Sequence, residues 1–433
     1  MALDATHDPA RRSWVASAQA ADADFPIQNL PHGVFRRLGS GEPWRGGVAI
    51  GDQVLDLAAA LRTGVFGHSV RVVAEAAAAP ELNDLMAMGR PAWRALRAAL
   101  SALLADGARE QPVLLSCLVP QAECEHRLPA RVGDCTDFFT SHDHMVHMGR
   151  LFQPDRPLLP QFHWLPIAYH GRTSTLEVSG AALPRPWGQR RPPGQAEPVF
   201  APTAMLDHEL ELAAWVGPGN RRGRPIPVDE AEDHLFGLSL FNDWSARDLQ
   251  GWESLPLGPF LSKNFLGTLS PWIVTWEALA PFRGPVRRDA DWPQPLPHLR
   301  PRAGLADAGL DLQLEVELRP AGAHDAVCIS RCNAGQMAWS FGQMLAHHTS
   351  NGCALRPGDL LGSGTISGPG EGEQGCLMEL TQGGRQPLQL PGGACRVQWE
   401  DGDTVVLRAR AERAGAASIG FGPCAGQVSA ALD

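Results

Sequence analysis

The chain has 433 residues, with 44% apolar residues, 19% charged residues and a formal net charge of −10. This composition is typical of a globular protein with a buried core, and the length suggests two or three domains. The acidic balance argues against nucleic acid or an anionic membrane surface as the main partner. No apolar run approaches the roughly 18 residues needed to span a bilayer.

The cysteines and the first residues indicate the cellular compartment. The nine cysteines form no CxxC pair and no repeated spacing, as expected for reduced thiols. The first twenty residues lack the apolar segment of a signal peptide. We therefore expect a cytoplasmic protein that binds neither nucleic acid nor a membrane.

The first part of the chain predicts a small β unit followed by helices. Residues 47–61, GVAIGDQVLDLAAAL, predict two short strands around a turn at Gly51 and Asp52. Residues 68–105 are rich in Ala and predict helices, the last one beginning near Pro91 and ending near Gly107. We predict an N-terminal domain over residues 1–127 and a second domain over residues 128–433.

The second part predicts mostly strands. Short apolar runs bounded by Gly or Pro recur to the end of the chain, and several alternate with a period of two residues. The clearest runs are LELAAWVG, LFGLSLF, SPWIVTW, LDLQLEVELR and DTVVLRARA. Only SARDLQGWE and SFGQMLAHHTS predict helices here. This pattern favours a β-sandwich or roll.

One predicted strand carries alternating acidic residues. Asp207, Glu209 and Glu211 are spaced by two, so a strand would present all three carboxylates on one face. A solvated edge strand is one interpretation. The flanking residues are strongly apolar, however, and a bound cation would relieve the repulsion between like charges. Ligands that are all oxygen favour Ca²⁺, Mg²⁺ or Mn²⁺ over Zn²⁺.

Four further segments offer groups that could do chemistry. Asp243 ends an apolar strand, although it could also cap the helix that follows. Arg247 and Gln250 share a face of that helix. Lys263 lies in an apolar, Gly-rich segment, where it is either a surface residue or a site charge. Glu379 lies in an apolar, strand-like segment, where a carboxylate needs a partner.

The histidine-rich stretch at residues 134–152, DCTDFFTSHDHMVHMGRLF, allows a zinc site as an alternative. Such a site would need His144 and His147 on one helix face, together with further ligands. The acidic candidates elsewhere fit a hard cation better. The Gly-rich residues 358–372 match neither a dinucleotide-binding fingerprint, a P-loop nor a serine-hydrolase elbow.

Long stretches, in order, resemble the fumarylacetoacetate hydrolase family: LPIAYHGRTSTLEVSG, LDHELELAAWVGPGN, FNDWSARDLQGWESLPLGPFLSKNF and NGCALRPGDLLGSGTISGP. The resemblance covers nearly the whole chain. It implies a mainly β homodimer with some helices, built from an N-terminal SH3-like small barrel and a C-terminal mixed β-sandwich roll. The implied reaction is metal-dependent hydrolysis of a C–C bond in a 1,3-diketo acid. The expected substrate is fumarylacetoacetate, cleaved to fumarate and acetoacetate at the end of tyrosine and phenylalanine breakdown.

The resemblance also implies roles for individual residues. It makes His144 the general base, oriented by Glu379, and no organic cofactor is expected. The groups that would face the developing oxyanion are Arg247, Gln250 and Lys263. The residues that would bind Ca²⁺ and/or Mg²⁺, with Mn²⁺ as a further candidate, are Asp137, Glu209, Glu211 and Asp243. A second, structural Mg²⁺ position would involve Lys263 with Gly267 or Thr268. Substrate contacts would come from Tyr169, Gln250 and Thr365.

Three substrate-binding positions depart from the family pattern. Phe139 and Ser254 stand where the family has tyrosines, and Gln153 stands where it has an arginine. Arg150 and Arg156 are the candidates to replace that arginine. These departures concern the contacts with the substrate and leave the residues implied for the reaction unchanged. The alternatives are a related acylpyruvate or 1,3-diketone hydrolase, an oxaloacetate decarboxylase, or an inactive paralogue with a binding role.

Overall fold

The computed structural model describes residues 2–432, and its first part is a five-stranded antiparallel sheet. The strands are β1 His32–Arg37, β2 Arg45–Ile50, β3 Gln53–Asp56, β4 Leu118–Pro120 and β5 Cys124–Arg127. Their order is β4-β3-β2-β1-β5, and the sheet curls into a half-barrel. The predicted turn joins β2 to β3, where Gly51 adopts a φ of +57° that a side chain would strain.

Five helices accompany this sheet. They are α1 Leu57–Arg62, α2 His68–Ala77, α3 Asn83–Ala87, α4 Arg90–Leu104 and α5 Gln111–Leu114. The longest, α4, has Pro91 in its first turn, where no backbone N–H is needed. It buries Trp93, Leu96 and Leu100, which recur every three to four residues along one face. The helical prediction for this segment is confirmed.

The second part holds most of the strands. They are β6 Cys135–Phe139, β7 Ile167–Gly171, β8 Leu176–Val178, β9 Ala182–Pro184, β10 Trp187–Arg190, β11 Val199–Pro202, β12 Leu206–Asp207, β13 Leu210–Val216, β14 Leu235–Asp243, β15 Ser245–Ala246, β16 Gly267–Leu269, β17 Val274–Thr275, β18 Arg283–Gly284, β19 Gly309–Leu310, β20 Gln313–Arg319, β21 Val327–Asn333, β22 Leu360–Gly362, β23 Leu388–Gln389, β24 Cys395–Arg396, β25 Thr404–Ala411, β26 Ile419–Gly420 and β27 Cys424–Ser429. The helices are α6 His142–Phe152, α7 Arg247–Glu253, α8 Phe341–Thr349 and α9 Leu377–Leu380.

Two large sheets organise these strands. One runs β7-β6-β22-β13-β14-β16-β8, with β17 beside β14, and it is mixed because β6 pairs with β22 in parallel. The other runs β21-β20-β25-β27-β9, with β26 beside β25. Leucines and valines of both sheets meet in one apolar core that includes Leu212, Leu240, Val316 and Leu407. Burial of each such side chain contributes roughly 1.5–3 kcal/mol.

The structure confirms a mainly β protein with some helices and corrects three local expectations. Of the run SPWIVTW, only Val274 and Thr275 form a strand. Glu379 lies in helix α9 rather than in a strand-like segment. The acidic strand is interrupted after Asp207, because β12 pairs with β15 whereas β13 pairs with β14. The domain boundary after Arg127 falls between β5 and β6 and stays a prediction.

One of the contacts between the two parts of the chain involves a buried histidine. The backbone of His32 in β1 exchanges hydrogen bonds of 3.0 and 2.8 Å with the backbone of Ile273. The His32 ring packs near Phe236, and its Nδ1 has no hydrogen-bond partner among residues 2–432. Burial lowers the pKa of this ring to about 4. Across the described residues, none of the helices combines the length and apolar character required to cross a bilayer.

His32 should make the protein less stable in mild acid. An unfolded histidine takes up a proton near pH 6.5, whereas folded His32 stays neutral down to about pH 4. The unfolded state therefore binds more protons in this window, and stability falls as the pH falls through it, by up to about 3 kcal/mol. Urea unfolding at pH 7 and pH 5 should show a smaller loss for His32→Phe than for wild type. His324→Phe, at a fully exposed site, should retain the wild-type loss, and an unchanged loss in His32→Phe would contradict the prediction.

Candidate active site

Neighbouring strands bring four carboxylates together. Asp137 lies on β6, Glu211 on β13 and Asp243 at the end of β14, while Glu209 lies just before β13. Strand β22 separates β6 from β13 and contributes Gly362 beside these side chains. A Cβ atom at Gly362 would lie 2.6 Å from the Asp137 Oδ1 atom and 3.2 Å from the Glu211 Oε2 atom. A larger residue would therefore displace the cluster.

The four carboxylates form a compact, buried cluster of oxygen atoms. Asp137, Glu209, Glu211 and Asp243 each offer one oxygen within 4.8 Å of the others, and all four residues are buried. The backbone N–H of Gly364 donates to Asp137 at 3.2 Å and to Glu211 at 3.0 Å. The Oε1 atom of Glu211 has no hydrogen-bond partner within the described part of the chain. A buried, unpartnered carboxylate oxygen is what a bound cation would satisfy.

Burial and mutual repulsion perturb the pKa values of these acids. Burial, followed by the charge of Asp243, raises the pKa of Asp137 to about 7. Burial and the charge of Asp137 raise the pKa of Glu211 well above its usual range. Burial alone would also raise the pKa of Glu209, but Lys263 and Arg247 hold it below its usual value. The cluster thus contains more negative charge than its neighbours neutralise.

Lys263 is a site charge rather than a surface residue. It is the only lysine among the 433 residues, and its side chain is 7% exposed. Its Nζ atom lies 2.6 Å from a carboxylate oxygen of Glu209 and 2.6 Å from one of Asp243. Burial alone would lower the pKa of Lys263, but these two carboxylates raise it. The ammonium therefore stays charged and cannot itself act as a metal ligand.

Arg247 binds a second pair of acids. Its Nε donates to Asp207 at 2.8 Å, and its Nη1 donates to Glu209 at 2.6 Å and to Gln250 at 3.1 Å. Asp207 also accepts hydrogen bonds from two backbone N–H groups of helix α9. It therefore lies outside the carboxylate cluster in which the alternating pattern had placed it. The buried Nη2 of Arg247 has no partner among residues 2–432 and remains available as a donor.

His144 and Glu379 form a hydrogen-bonded pair. The Nδ1 atom of His144 in α6 lies 2.7 Å from the Oε2 atom of Glu379 in α9. Burial alone would raise the pKa of Glu379, but the contact with His144 lowers it. A carboxylate acceptor places the proton on Nδ1 and leaves Nε2 as the basic nitrogen. The ring of Phe139 packs edge-on against His144, with ring centroids 5.0 Å apart.

The zinc site considered as an alternative stays a prediction, and His144, Cys376 and Glu379 each offer a ligand atom within 4.8 Å of the others. The Nδ1 atom of His147 lies 2.9 Å from the Oε1 atom of Glu379, so both histidines contact one carboxylate. The Cys376 thiol lies 3.2 Å from the same group, and burial raises the pKa of that thiol well above its usual value. In this hydrogen-bonded arrangement Cys376 is a neutral thiol that donates to Glu379.

The expected substrate residues differ in their surroundings. The Tyr169 hydroxyl donates to Asp243 at 2.9 Å, beside the carboxylate cluster. Thr365 is buried, and its Oγ1 has no partner among the described residues. The Ser254 hydroxyl donates to the backbone oxygen of Gln250 at 2.6 Å. Gln153 is exposed just after α6.

The second Mg²⁺ position stays a prediction. The Oγ1 atom of Thr268 accepts a hydrogen bond of 3.0 Å from the indole N–H of Trp244. Gly267 has no side chain to offer, and the Lys263 ammonium is a cation in its own right. Asp243, which pairs with Gly267 across the sheet and lies 2.6 Å from Lys263, also belongs to the main cluster.

A cavity of about 280 Å³ reaches the carboxylate cluster from the β7 side. Two of the acids, Asp137 and Asp243, line it together with Lys263. Its other lining residues include Tyr169, Arg172, Phe260 and Asn264. Arg172 is exposed, and no carboxylate among residues 2–432 forms a salt bridge with it. Arg150 and Arg156 are exposed and do not line this cavity. Arg172 lies in the stretch LPIAYHGRTSTLEVSG, where no local pattern marks it as a site residue.

The cluster fits a hard divalent cation. Asp137, Glu209, Glu211 and Asp243 provide only oxygen donors, which Ca²⁺, Mg²⁺ and Mn²⁺ prefer. The unpartnered oxygen of Glu211 and the raised pKa of Asp137 both indicate negative charge that a cation would neutralise. These four residues are the ones that would hold the ion.

The fold and this site define a class of protein. Residues 28–129 match the fumarylacetoacetase N-terminal domain, and residues 136–429 match the fumarylacetoacetate (FAA) hydrolase C-terminal domain. The chain therefore belongs to the fumarylacetoacetate hydrolase family.

Individual relatives extend this result over almost the whole chain. Fumarylacetoacetase from Arabidopsis thaliana is 46% identical, with 94% of this chain and 96% of that protein covered. Fumarylacetoacetase from Homo sapiens is 43% identical, with 95% and 98% covered. The solved fumarylacetoacetate hydrolase of the psychrophile Exiguobacterium antarcticum has a TM-score of 0.51 and 16% identity, covering 93% of this chain and 99% of that one, and shares the fold.

Divalent cations should stabilise the protein through Glu211. A ligand present at about 100 times its Kd adds about 2.7 kcal/mol of stability, so Ca²⁺, Mg²⁺ or Mn²⁺ should raise the Tm of the chelator-treated protein by a few degrees. Glu211→Gln should remove more than half of that shift, because it removes an anionic ligand. Glu75→Gln, on an exposed face of α2, is the control and should behave as wild type. An absence of any shift with all three ions, or a full shift in Glu211→Gln, would contradict the assignment.

Proposed function

We propose that the protein is a divalent-cation-dependent hydrolase that cleaves a C–C bond in a 1,3-diketo acid, with fumarylacetoacetate as substrate and fumarate and acetoacetate as products. The observation that carries the proposal is the His144–Glu379 pair near the four-carboxylate cluster and its two cations. Relatives named fumarylacetoacetase, 43–46% identical over nearly their full length, support this substrate.

The base is His144. Its Nε2 takes a proton from a water molecule as the water oxygen adds to a substrate carbonyl, which gives a tetrahedral alkoxide. Glu379 holds the Nδ1–H and stabilises the imidazolium that forms. Collapse of the alkoxide breaks the C–C bond, and the carbon leaving group receives a proton. The net reaction adds the elements of one water molecule and requires no organic cofactor.

The donors for the alkoxide come from α7 and its surroundings. Arg247 has a buried Nη2 that is free to donate, and Gln250 is fixed beside it at 3.1 Å from Nη1. Lys263 adds a permanent positive charge. The loss of one such donor typically raises the barrier by roughly 2.7–4 kcal/mol. A divalent cation held by the four carboxylates would supply further positive charge for the diketone and enolate oxygens.

Contacts with the substrate should differ from those of the family at the three positions that depart from the family pattern. Phe139 gives an apolar wall beside His144 in place of a hydroxyl group. Because Gln153 carries no charge, we assign the distal substrate carboxylate to Arg172 on the cavity wall. Its Nε donates to the Ser174 hydroxyl at 2.9 Å, and the guanidinium has no salt bridge among residues 2–432. The Tyr169 hydroxyl lies beside the carboxylate cluster, where it can contact the substrate. The buried Thr365 hydroxyl, which has no partner among the described residues, is the second candidate for a substrate contact. A related acylpyruvate hydrolase remains the second candidate, because these changes alter the substrate contacts and retain the base.

Steady-state hydrolysis tests the reaction and the base together. Wild type should cleave fumarylacetoacetate, and His144→Ala should lower kcat/KM by about 10²- to 10⁴-fold because it removes the general base. His324→Ala, at an exposed site, is the matched control and should retain full activity. Arg172→Gln should raise KM for substrates that carry the distal carboxylate and leave KM unchanged for those without it.

The outcomes separate the alternatives. Turnover of acylpyruvates without turnover of fumarylacetoacetate would replace the proposed substrate and keep the reaction class. Equal activity of His144→Ala and wild type would refute the mechanism. Failure of wild type to cleave any diketo acid would leave a binding protein on the same scaffold.

We also propose a cytoplasmic homodimer. All nine cysteines are free, which fits a reducing compartment. The segment after α7 exposes a group of apolar side chains, with Leu255 at 86%, Leu257 at 96% and Phe260 at 66% exposure. Such a patch is typical of an interface between protein chains. Sedimentation velocity should give a dimer for wild type and a monomer for a Leu255→Glu, Leu257→Glu variant, and a monomeric wild type would refute the proposal.

A further inference from the structure

One buried carboxylate contacts two histidines of the same helix. The Oε2 atom of Glu379 lies 2.7 Å from Nδ1 of His144, and its Oε1 atom lies 2.9 Å from Nδ1 of His147. The Ser367 hydroxyl also donates to Oε2, at 2.8 Å. The Glu379 side chain is fully buried, so these groups and the Cys376 thiol are its environment.

The sequence spacing places both rings on one side of α6. His144 and His147 are three residues apart, and residues at this spacing are neighbours on a helix surface. Helix α9 packs against this side and presents Glu379 between the two rings. The Ser141 side chain caps the helix by accepting from the backbone of His144, which fixes the start of α6. Both imidazoles therefore meet the carboxylate without any rearrangement of the backbone.

The two histidines differ in their exposure and in their proposed roles. His144 is 6% exposed at its side chain and belongs to the proposed catalytic pair. His147 is 23% exposed, lies one turn further along α6 and has no role in the proposed proton transfer. Its contact occupies the carboxylate oxygen that His144 leaves free. Without that donor, a buried Oε1 would have no hydrogen bond, and the carboxylate could turn about its terminal bond.

We propose that His147 is a positioning residue for the base. It fixes the carboxylate plane of Glu379 and, by drawing electron density to Oε1, moderates how strongly Oε2 attracts the proton on His144. The base thereby keeps a fixed orientation towards the site. The expected effect on kcat rests on the proposed function. The hydrogen bonds of Glu379 do not depend on which reaction the protein catalyses.

Two variants distinguish the hydrogen bond that His147 donates from the space that its side chain fills. Asn can place its amide N–H near the position of the His147 Nδ1–H, whereas Leu fills similar space and cannot donate. His147→Leu should lower kcat about tenfold with KM changed less than twofold, in the range seen when an outer partner of a site residue is lost. His147→Asn should stay within about threefold of wild type, because it restores the donor.

The pH dependence of kcat/KM provides a second test, because loss of a residue that only supports the fold would not shift it. In His147→Leu, the unmoderated carboxylate should hold the His144 proton more tightly, so the acidic limb of kcat/KM should move to higher pH. The titratable groups that contact this carboxylate are His144, His147 and Cys376. At longer range, Cys332 interacts with Glu379, and Glu209 interacts with His144. Burial raises the pKa of both thiols above the usual value, so both stay protonated. The profile of His147→Asn should match wild type.

A measurement without turnover distinguishes failure of this inference from failure of the proposed function. In ¹⁵N-histidine-labelled protein, the hydrogen-bonded Nδ1–H signal of His144 should shift in His147→Leu and return towards its wild-type position in His147→Asn. If wild type cleaves no diketo acid but these shifts occur, only the proposed function fails. If His147→Leu unfolds earlier yet keeps the wild-type His144 signal, kcat and pH profile, the positioning role is refuted.

Discussion

The site depends on the burial of negative charge that the protein itself does not fully neutralise. Four carboxylates lie within 4.8 Å of one another, while the nearby cations are Lys263 and Arg247. Burial of like charges is unfavourable unless they are paired or bind a metal ion. The surrounding β-sheet holds them in place because strands β6, β22, β13 and β14 are themselves held by a continuous apolar core. The stability of that core makes the strained arrangement of charges possible.

The same sheet separates the two proposed functions along its length. His144, the proposed base, and its carboxylate partner lie where α6 follows β6, beside Phe139. The cavity with Arg172 lies towards the other end of β6, near Cys135 and Gly171. Between them is Asp137, the cluster member on that strand. A substrate that spans both ends would be activated at one and recognised at the other, so changes in specificity need not disturb the base.

Local patterns predicted the strands and helices well, and long-range contacts explain what they missed. The alternation of apolar residues in β20 and β25 and the Ala-rich character of α4 are properties of short segments. The alternation of Asp207 with Glu209 suggested one shared face, but Arg247 and the backbone of α9 bind Asp207 elsewhere. The spacing of His147 from His144 was visible in the sequence, but its contact with Glu379 was not, because Glu379 is distant in sequence. Arg172 carries no local signal for the same reason. Local patterns indicated a mainly β fold and the acids Glu209, Glu211 and Asp243, whereas Asp137 and the role proposed for His144 came only from the resemblance.

Asp243 gives the centre of the site an unusual chemical signature. Its Oδ2 atom lies 2.6 Å from the Nζ atom of Lys263 and 2.9 Å from the hydroxyl of Tyr169. Since these are the only lysine and the only tyrosine in the chain, the protein has one side-chain amine and one phenol, and both report on the same oxygen. Isotope labelling of the lysine Nζ or of the tyrosine Cζ alone would yield a single resonance free of overlap. Events at the carboxylate cluster could then be followed in the intact protein without an introduced probe.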